Sequence, residues 1–179
     1  VFSVLADELI PKAEKIEFNS ASDALMALDN GKIDAFPTDE SLYYAMRWEG
    51  KNYSIVEEPM ATSTYGMIFG KGANQDLRAE LNAFLSDNKE TVAVLEAKWF
   101  SEKEPTEFMS YDDLTGQNGT LRIGVCSSVK PFVYMKDGRL TGYDIEILIS
   151  FAREYGYKLE FEDTLFASVL TGVSMGTYG

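Results

Sequence analysis

Short apolar segments alternate with amphipathic helical segments along the whole of this 179-residue chain. Apolar spacing and helix-start residues predict helices over residues 1–10, 20–29, 39–46, 77–85, 92–100, 142–155 and 166–174. The segments between them predict strands over residues 15–18, 33–38, 53–57, 65–69, 120–125, 132–135, 140–141 and 158–162. This alternation predicts an α/β fold, with mostly parallel sheets and helices on both faces.

An acidic segment divides the chain. Residues 101–119 contain five acidic residues and one basic residue, together with Pro, Asn and Gly. This composition is typical of a linker, so we divide the chain into residues 1–100, a linker of 101–119, and residues 120–179.

The composition excludes several classes of function. The chain has 16 basic and 29 acidic residues, a net charge of −13, which disfavours binding to nucleic acid. It has no histidine and a single cysteine, Cys126, which excludes Ser-His-Asp and Cys-His catalysis and argues against a zinc site. The carboxylates, for their part, show no pair at a spacing that identifies an acid and a base. We therefore predict no catalytic residue, no metal and no cofactor, and we do not expect an enzyme.

The first 100 residues carry an ordered set of motifs. Residues 22–39 consist of a helix with spaced leucines, the sequence N-G-K-I-D-A and a strand that ends in Thr38-Asp39. These motifs are followed by the pair Tyr65-Gly66 and by the triplets G-K-G at 70–72 and K-W-F at 98–100. This set resembles the second lobe of amino-acid-type periplasmic solute-binding proteins, the extracellular family that serves ABC importers.

Residues 120–179 resemble the beginning of the first lobe in the same family. The matching motifs are L-R-I-G-V at 121–125, Pro131-Phe132, Asp137-Gly138 and G-Y-D-I at 142–145. The lobes thus occur in reversed order. The resemblance implies a fragment in which residues 1–100 form the C-terminal lobe of one module without its first strand, and residues 120–179 begin lobe one of a tandem second module. A circularly permuted single module is the alternative.

The resemblance also implies a function. The chain is expected to be part of the solute-binding component of an ABC importer, which binds an amino acid or similar small polar solute between two type II lobes by hinge closure. Its partner is then a membrane permease, and its location periplasmic or at the cell surface. An extracytoplasmic sensing region of a membrane kinase or cyclase is the alternative, and a dehydratase-like enzyme a more distant one.

By the same resemblance, Asp39 accepts hydrogen bonds from the α-ammonium of the ligand, although it could equally cap the following helix. The predicted ligand-binding residues are Asp39, Thr38, Tyr65, Ser127, Ser128 and Phe132. Cys126 and Val129 replace the Asp and the aromatic residue that the family commonly has, which weakens the case for an ordinary polar amino acid. The side chain of Tyr134 is predicted to be exposed on the hairpin.

Because each cleft lacks a lobe in the tandem interpretation, we expect no thermal shift with any of the twenty amino acids. A clear shift would favour the permuted module. Unpaired sheet edges in such a fragment could also give a swapped dimer.

Overall fold

A computed structural model describes residues 2–178 as helices joined by long extended segments, followed by a compact region of strands and helices. The helices are α1 (Phe2–Leu9), α2 (Ala21–Asp29), α3 (Glu40–Trp48), α4 (Gln75–Asp87), α5 (Lys89–Trp99), α6 (Tyr143–Tyr155) and α7 (Phe166–Met175). The strands are β1 (Thr120–Val125), β2 (Ser128–Val129), β3 (Val133–Lys136), β4 (Arg139–Thr141) and β5 (Lys158–Asp163). No helix among residues 2–178 is long and apolar enough to cross a bilayer.

Four strands predicted in the first 100 residues are absent. The segments 15–18, 33–38, 53–57 and 65–69 form no strand, and within residues 2–178 no backbone–backbone hydrogen bond joins any of them to a neighbour. Apolar residues give these segments strand propensity, but a strand is stabilised by pairing with another strand. The predicted strands are wrong here because no such pairing forms.

Helices α2 and α3 begin directly after residues that were predicted to cap them. Ser20 precedes α2, and its Oγ accepts a hydrogen bond from the backbone N–H of Asp23 at 3.1 Å. Asp39 precedes α3 in extended conformation but makes no capping hydrogen bond with its side chain. The carboxylate of Asp39 is therefore not used to stabilise the start of α3.

The region after residue 119 forms two small sheets. Strands β1 and β5 are parallel, with a register from Thr120 opposite Lys158 to Val125 opposite Asp163. Strands β2, β3 and β4 form an antiparallel sheet whose hairpin closes between Lys136 and Arg139. Strands β1, β3, β4 and β5 and the hairpin confirm the predictions, whereas β2 was not predicted. The parallel pair joined through α6 confirms the α/β class.

Gly142 fixes the start of α6 against the preceding loop. Its φ of 129° and the backbone of Phe132 exclude a side chain, since a Cβ at this position would lie 2.1 Å from the Phe132 carbonyl oxygen. This close approach lets the N–H groups of Tyr143 and Asp144 bond to the carbonyls of Pro131 and Phe132, at 3.0 and 3.1 Å. The Pro131-Phe132 loop and α6 are thereby held as one unit.

One apolar core extends across both parts of the chain. Phe84 of α4 and Phe151 of α6 are each 1% exposed, and their rings meet edge to face at 5.7 Å. The acidic segment 101–119 has no helix or strand, yet its Phe108, Met109, Tyr111 and Leu114 pack on this core. The segment is thus attached to the core along much of its length.

Glu146 joins three parts of the chain inside this core. Its carboxylate is fully buried and lies 2.7 Å from the Lys98 ammonium. It also accepts hydrogen bonds from the indole N–H of Trp99 at 3.0 Å and from the backbone N–H of Met109 at 2.9 Å. These contacts link α5, the acidic segment and α6.

Candidate functional site

A groove of about 1460 Å³ lies between the two parts of the chain. One wall comes from residues between Ala6 and Glu49, and the other wall from residues 127–130 with Tyr134 and Met135. Trp48 and Tyr134 contact each other between these walls, with ring centroids 6.3 Å apart. The sequence leads us to expect clefts that each lack a lobe, whereas here both parts of the chain line a single groove.

Four of the six predicted ligand-binding residues line this groove. Thr38 and Asp39 lie on one wall, and Ser127 and Ser128 lie on the other. The remaining two, Tyr65 and Phe132, pack against each other with ring centroids 5.0 Å apart. The structure therefore brings residues that are distant in sequence to one place.

Tyr65 connects the aromatic pair to Asp39. The Asp39 carboxylate lies near enough to the Tyr65 hydroxyl to affect its ionisation. Although 59% of Tyr65 is exposed, desolvation around its hydroxyl and, after it, the neighbouring Asp39 carboxylate raise the pKa of Tyr65. The Asp39 carboxylate thus has a neutral donor beside it and keeps further acceptor capacity for a solute.

Phe132 belongs to an aromatic cluster. Its ring lies 5.5 Å from that of Phe100 and 6.4 Å from that of Tyr143. Together with the contact to Tyr65, these distances are typical of edge-to-face and tilted aromatic pairs, each contributing about 0.5–1.5 kcal/mol. The cluster supports the segment that carries Tyr65.

Ser127 and Ser128 form what we call the serine loop. This loop lies at the carboxyl ends of the parallel strands, where α/β proteins bind ligands. Ser127 follows β1, and both its N–H and its hydroxyl donate to the carboxylate of Asp163 at the end of β5, at 2.9 and 2.6 Å. Ser128 Oγ lies 3.1 Å from the sulfur of Cys126. Sequence reasoning missed Asp163, although the parallel β1–β5 register would have placed it beside this loop.

Lys130 and Glu49 belong to different walls of the groove and lie next to each other. The Lys130 ammonium lies 3.5 Å from the Glu49 carboxylate and 5.3 Å from the ring centroid of Tyr134. Sequence reasoning missed both charged residues, because no local pattern relates the end of α3 to this loop. The prediction for Tyr134 is wrong, since its side chain is only 3% exposed and packs on Trp48 and Trp99.

Acidic side chains outnumber basic ones on the groove walls. The acidic ones are Glu14, Glu17, Asp34, Asp39 and Glu49. The basic ones are Lys15, Lys32 and Lys130. A solute that carries an ammonium group therefore suits this lining better than a purely anionic one.

A second cavity, of about 390 Å³, lies along α7 and is lined by residues between Glu162 and Tyr178. It contains none of the predicted ligand-binding residues. Within the described part of the chain, no group of three or more Cys, Asp or Glu side chains is arranged to hold a metal ion. The larger groove is thus the candidate site, and its lining includes carboxylates, hydroxyls and three lysines.

Comparison with known proteins gives a family match for the last third of the chain. Residues 121–179 match the model of the bacterial extracellular solute-binding proteins, family 3. The matched region contains β1 to β5, α6 and α7, including the serine loop and Lys130.

Curated relatives extend the match. The ABC transporter glutamine-binding protein GlnH of Bacillus subtilis is 35% identical over 102 residues, which cover 56% of this chain and 37% of that protein. The L-cystine-binding protein TcyA of the same organism is 35% identical over 60 residues, 32% of this chain and 22% of the relative. A probable amino-acid ABC transporter-binding protein of Haemophilus influenzae is 32% identical over 63 residues, 35% of this chain and 24% of the relative.

The chain thus spans 37% or less of the length of these relatives. Among solved structures, the unliganded L-cystine solute receptor of Neisseria gonorrhoeae is 35% identical, with a TM-score of 0.33 over 39% of this chain and 30% of that one. An ancestral cationic amino acid solute binding protein is 32% identical, with a TM-score of 0.32 over 39% and 31%. The resemblance predicted from the sequence is confirmed: the chain is similar to the amino-acid-binding proteins of ABC transporters, and its residues 121–179 match family 3 of the extracellular solute-binding proteins.

Proposed function

We propose that the groove binds a small solute of the amino-acid type. The observation that supports this function is that Thr38 and Asp39 line the same groove as Ser127 and Ser128. The resemblance assigns the two pairs to different lobes, and a solute between lobes requires groups from both. The proposal therefore treats the two parts of this chain as the two sides of one binding cleft.

Asp39 is the proposed partner of the solute ammonium. A carboxylate that accepts hydrogen bonds from an ammonium group contributes about 1.5–3 kcal/mol when both groups are desolvated. The neutral Tyr65 hydroxyl lies near this carboxylate and leaves its oxygens available to the solute. The hydroxyls of Ser127 and Ser128 are the proposed partners for polar groups on the other side of the solute.

The proposal extends to the biological role. The relatives are named as glutamine-binding, L-cystine-binding and amino-acid-binding proteins of transporters, which supports glutamine and cystine as first candidate solutes. We propose that the two walls approach each other around the solute by hinge motion. We further propose that the solute-loaded protein acts outside the cytoplasm and delivers its solute to an ABC permease.

A thermal denaturation series of the whole chain tests this function. We expect a saturable rise in Tm with at least one solute among the twenty amino acids and L-cystine. Binding to the folded state alone contributes about 2.7 kcal/mol at a hundredfold excess over Kd. Replacing Asp39→Asn should weaken binding about tenfold or more, because the charge that pairs with the ammonium is lost.

The matched control is Asp34→Asn, a second carboxylate on the same wall. We expect this variant to bind within about threefold of the unmodified chain. If no solute changes Tm, the proposed function fails and the sequence-based expectation of two incomplete clefts is favoured. If both variants weaken binding equally, the assignment to Asp39 fails.

A further inference from the structure

An amino acid also carries a carboxylate, and the groove must accommodate this charge beside its own acidic residues. A carboxylate that leaves water needs a cation or several hydrogen-bond donors. The lining lysines are Lys15, Lys32 and Lys130. The inference that follows rests on the proposed function and concerns which of these lysines receives the solute.

Two of the three lysines are poorly placed for this role. The Lys15 ammonium forms an ion pair of 2.7 Å with Asp7. Lys32 lies just beyond α2, is exposed, and belongs to the same wall as Asp39. A solute whose ammonium binds Asp39 presents its other end to the opposite wall, where Lys130 follows the serine loop.

The position of the Lys130 ammonium is defined by a fixed aromatic ring. It lies 5.3 Å from the centroid of the Tyr134 ring, a distance typical of a cation–π contact. Tyr134 is held in turn by a hydrogen bond from its hydroxyl to Glu104 at 2.9 Å and by the rings of Trp48 and Trp99. The Tyr134 ring, itself fixed by these contacts, therefore holds the Lys130 ammonium at a defined position on the groove wall.

The present counterion of Lys130 is easily exchanged. Glu49 lies at the C-terminal end of α3, its side chain is 59% exposed, and its carboxylate is 3.5 Å from the Lys130 ammonium. Ion pairs of this exposed kind contribute little to stability. A solute carboxylate inside the groove is less hydrated than Glu49 and pairs more strongly with the same ammonium.

We propose that Lys130 binds the carboxylate of the solute and that Glu49 holds the Lys130 ammonium until the solute replaces it. The exchange breaks the Glu49–Lys130 pair between the two walls and forms a bridge from Asp39 through the solute to Lys130. Lys130 is then the residue that selects amino acids over analogues without a free carboxylate.

Isothermal titration of the whole chain with L-glutamine and with its α-carboxamide tests this assignment. If another amino acid gives the larger thermal shift, that amino acid and its α-carboxamide form the pair. We expect the unmodified chain to bind the carboxamide about tenfold more weakly or worse. In Lys130→Met, the ratio of the Kd for the carboxamide to the Kd for the amino acid should fall below about threefold. Both solutes then lack a cationic partner.

Three further variants sharpen the test. Lys130→Arg keeps a cation and should keep the preference for the free carboxylate. Glu49→Gln removes the competing anion and should tighten amino acid binding about two- to fivefold. Lys32→Met, which removes a lysine from the other wall, should leave the ratio unchanged.

The outcomes separate this inference from the proposed function. If the unmodified chain binds neither solute of any pair, the proposed function fails and the role of Lys130 fails with it. If the chain binds amino acids but Lys130→Met keeps the tenfold preference, only the role of Lys130 is overturned. Should Lys130→Met not fold, as judged by circular dichroism and Tm, Lys130→Gln replaces it under the same criteria.

Discussion

Among single residues, Glu146 is the charged side chain on which the packing of the chain depends most. Its buried carboxylate has an ammonium, an indole N–H and a backbone N–H as partners. The Glu146→Ala substitution leaves the Lys98 ammonium, the indole N–H and the backbone N–H without their acceptor. Since breaking a buried ion pair typically costs about 3–5 kcal/mol, we expect a loss of this size in the free energy of unfolding, measured by urea denaturation.

Glu154→Ala provides the matched control on the same helix. Glu154 is exposed and accepts one hydrogen bond, from Asn88 at 3.1 Å. A surface interaction of this kind is worth about 1 kcal/mol or less, so this variant should remain close to the unmodified chain. Equal effects of the two substitutions would contradict the role given to Glu146.

At the scale of secondary-structure elements, the connection between the Pro131-Phe132 loop and α6 depends on a glycine. A Cβ at position 142 would overlap the Phe132 carbonyl, and the φ of 129° disfavours any side chain. We therefore expect Gly142→Ala to destabilise the chain by about 3 kcal/mol or more, through strain and disruption of the start of α6.

The Gly138→Ala variant separates the conformational strain of a positive φ from the steric overlap with Phe132. Gly138 has a φ of 79° in the hairpin turn, but a Cβ there meets no atom within 4 Å. This variant should cost only the conformational strain, about 1 kcal/mol. Thermal unfolding of both variants provides the measurement, and a Gly142→Ala protein as stable as Gly138→Ala would exclude the steric argument.

The elements that the sequence predicts correctly are those whose signals are local. The hairpin at Asp137-Gly138 and the end of α6 at Gly156 depend on positive φ angles that glycine adopts readily. Strand β1 was predicted over its full length, and its partner β5 lies within the same 60-residue region. The segments 33–38 and 65–69 carry similar apolar patterns, but pairing is a non-local property that their own residues do not determine.

At the scale of the whole molecule, the site depends on contacts that no local pattern predicts. The six predicted ligand-binding residues were chosen by resemblance, and the resemblance assigned them to separate modules. Four of them, Thr38, Asp39, Ser127 and Ser128, come to one groove because Trp48 of α3 packs on Trp99 and Tyr134. The indole N–H of Trp48 also donates to the carbonyl of Ser101 at 2.8 Å. Lys130 and Glu49 meet through the same packing, so neither was predicted.

The same architecture predicts a strongly uneven local stability. Within residues 2–178, none of the amides from 52 to 69 donates a backbone–backbone hydrogen bond, whereas α6 is helical and largely buried between α5 and the strands. Amides without such bonds exchange with solvent without unfolding, while those of α6 require opening of the core. In hydrogen–deuterium exchange at neutral pH, peptides from residues 52–69 should be fully labelled at the earliest time point, and peptides from 145–152 should be the slowest. Slow exchange in 52–69 would instead indicate that this segment pairs as a strand, as its sequence alone predicts.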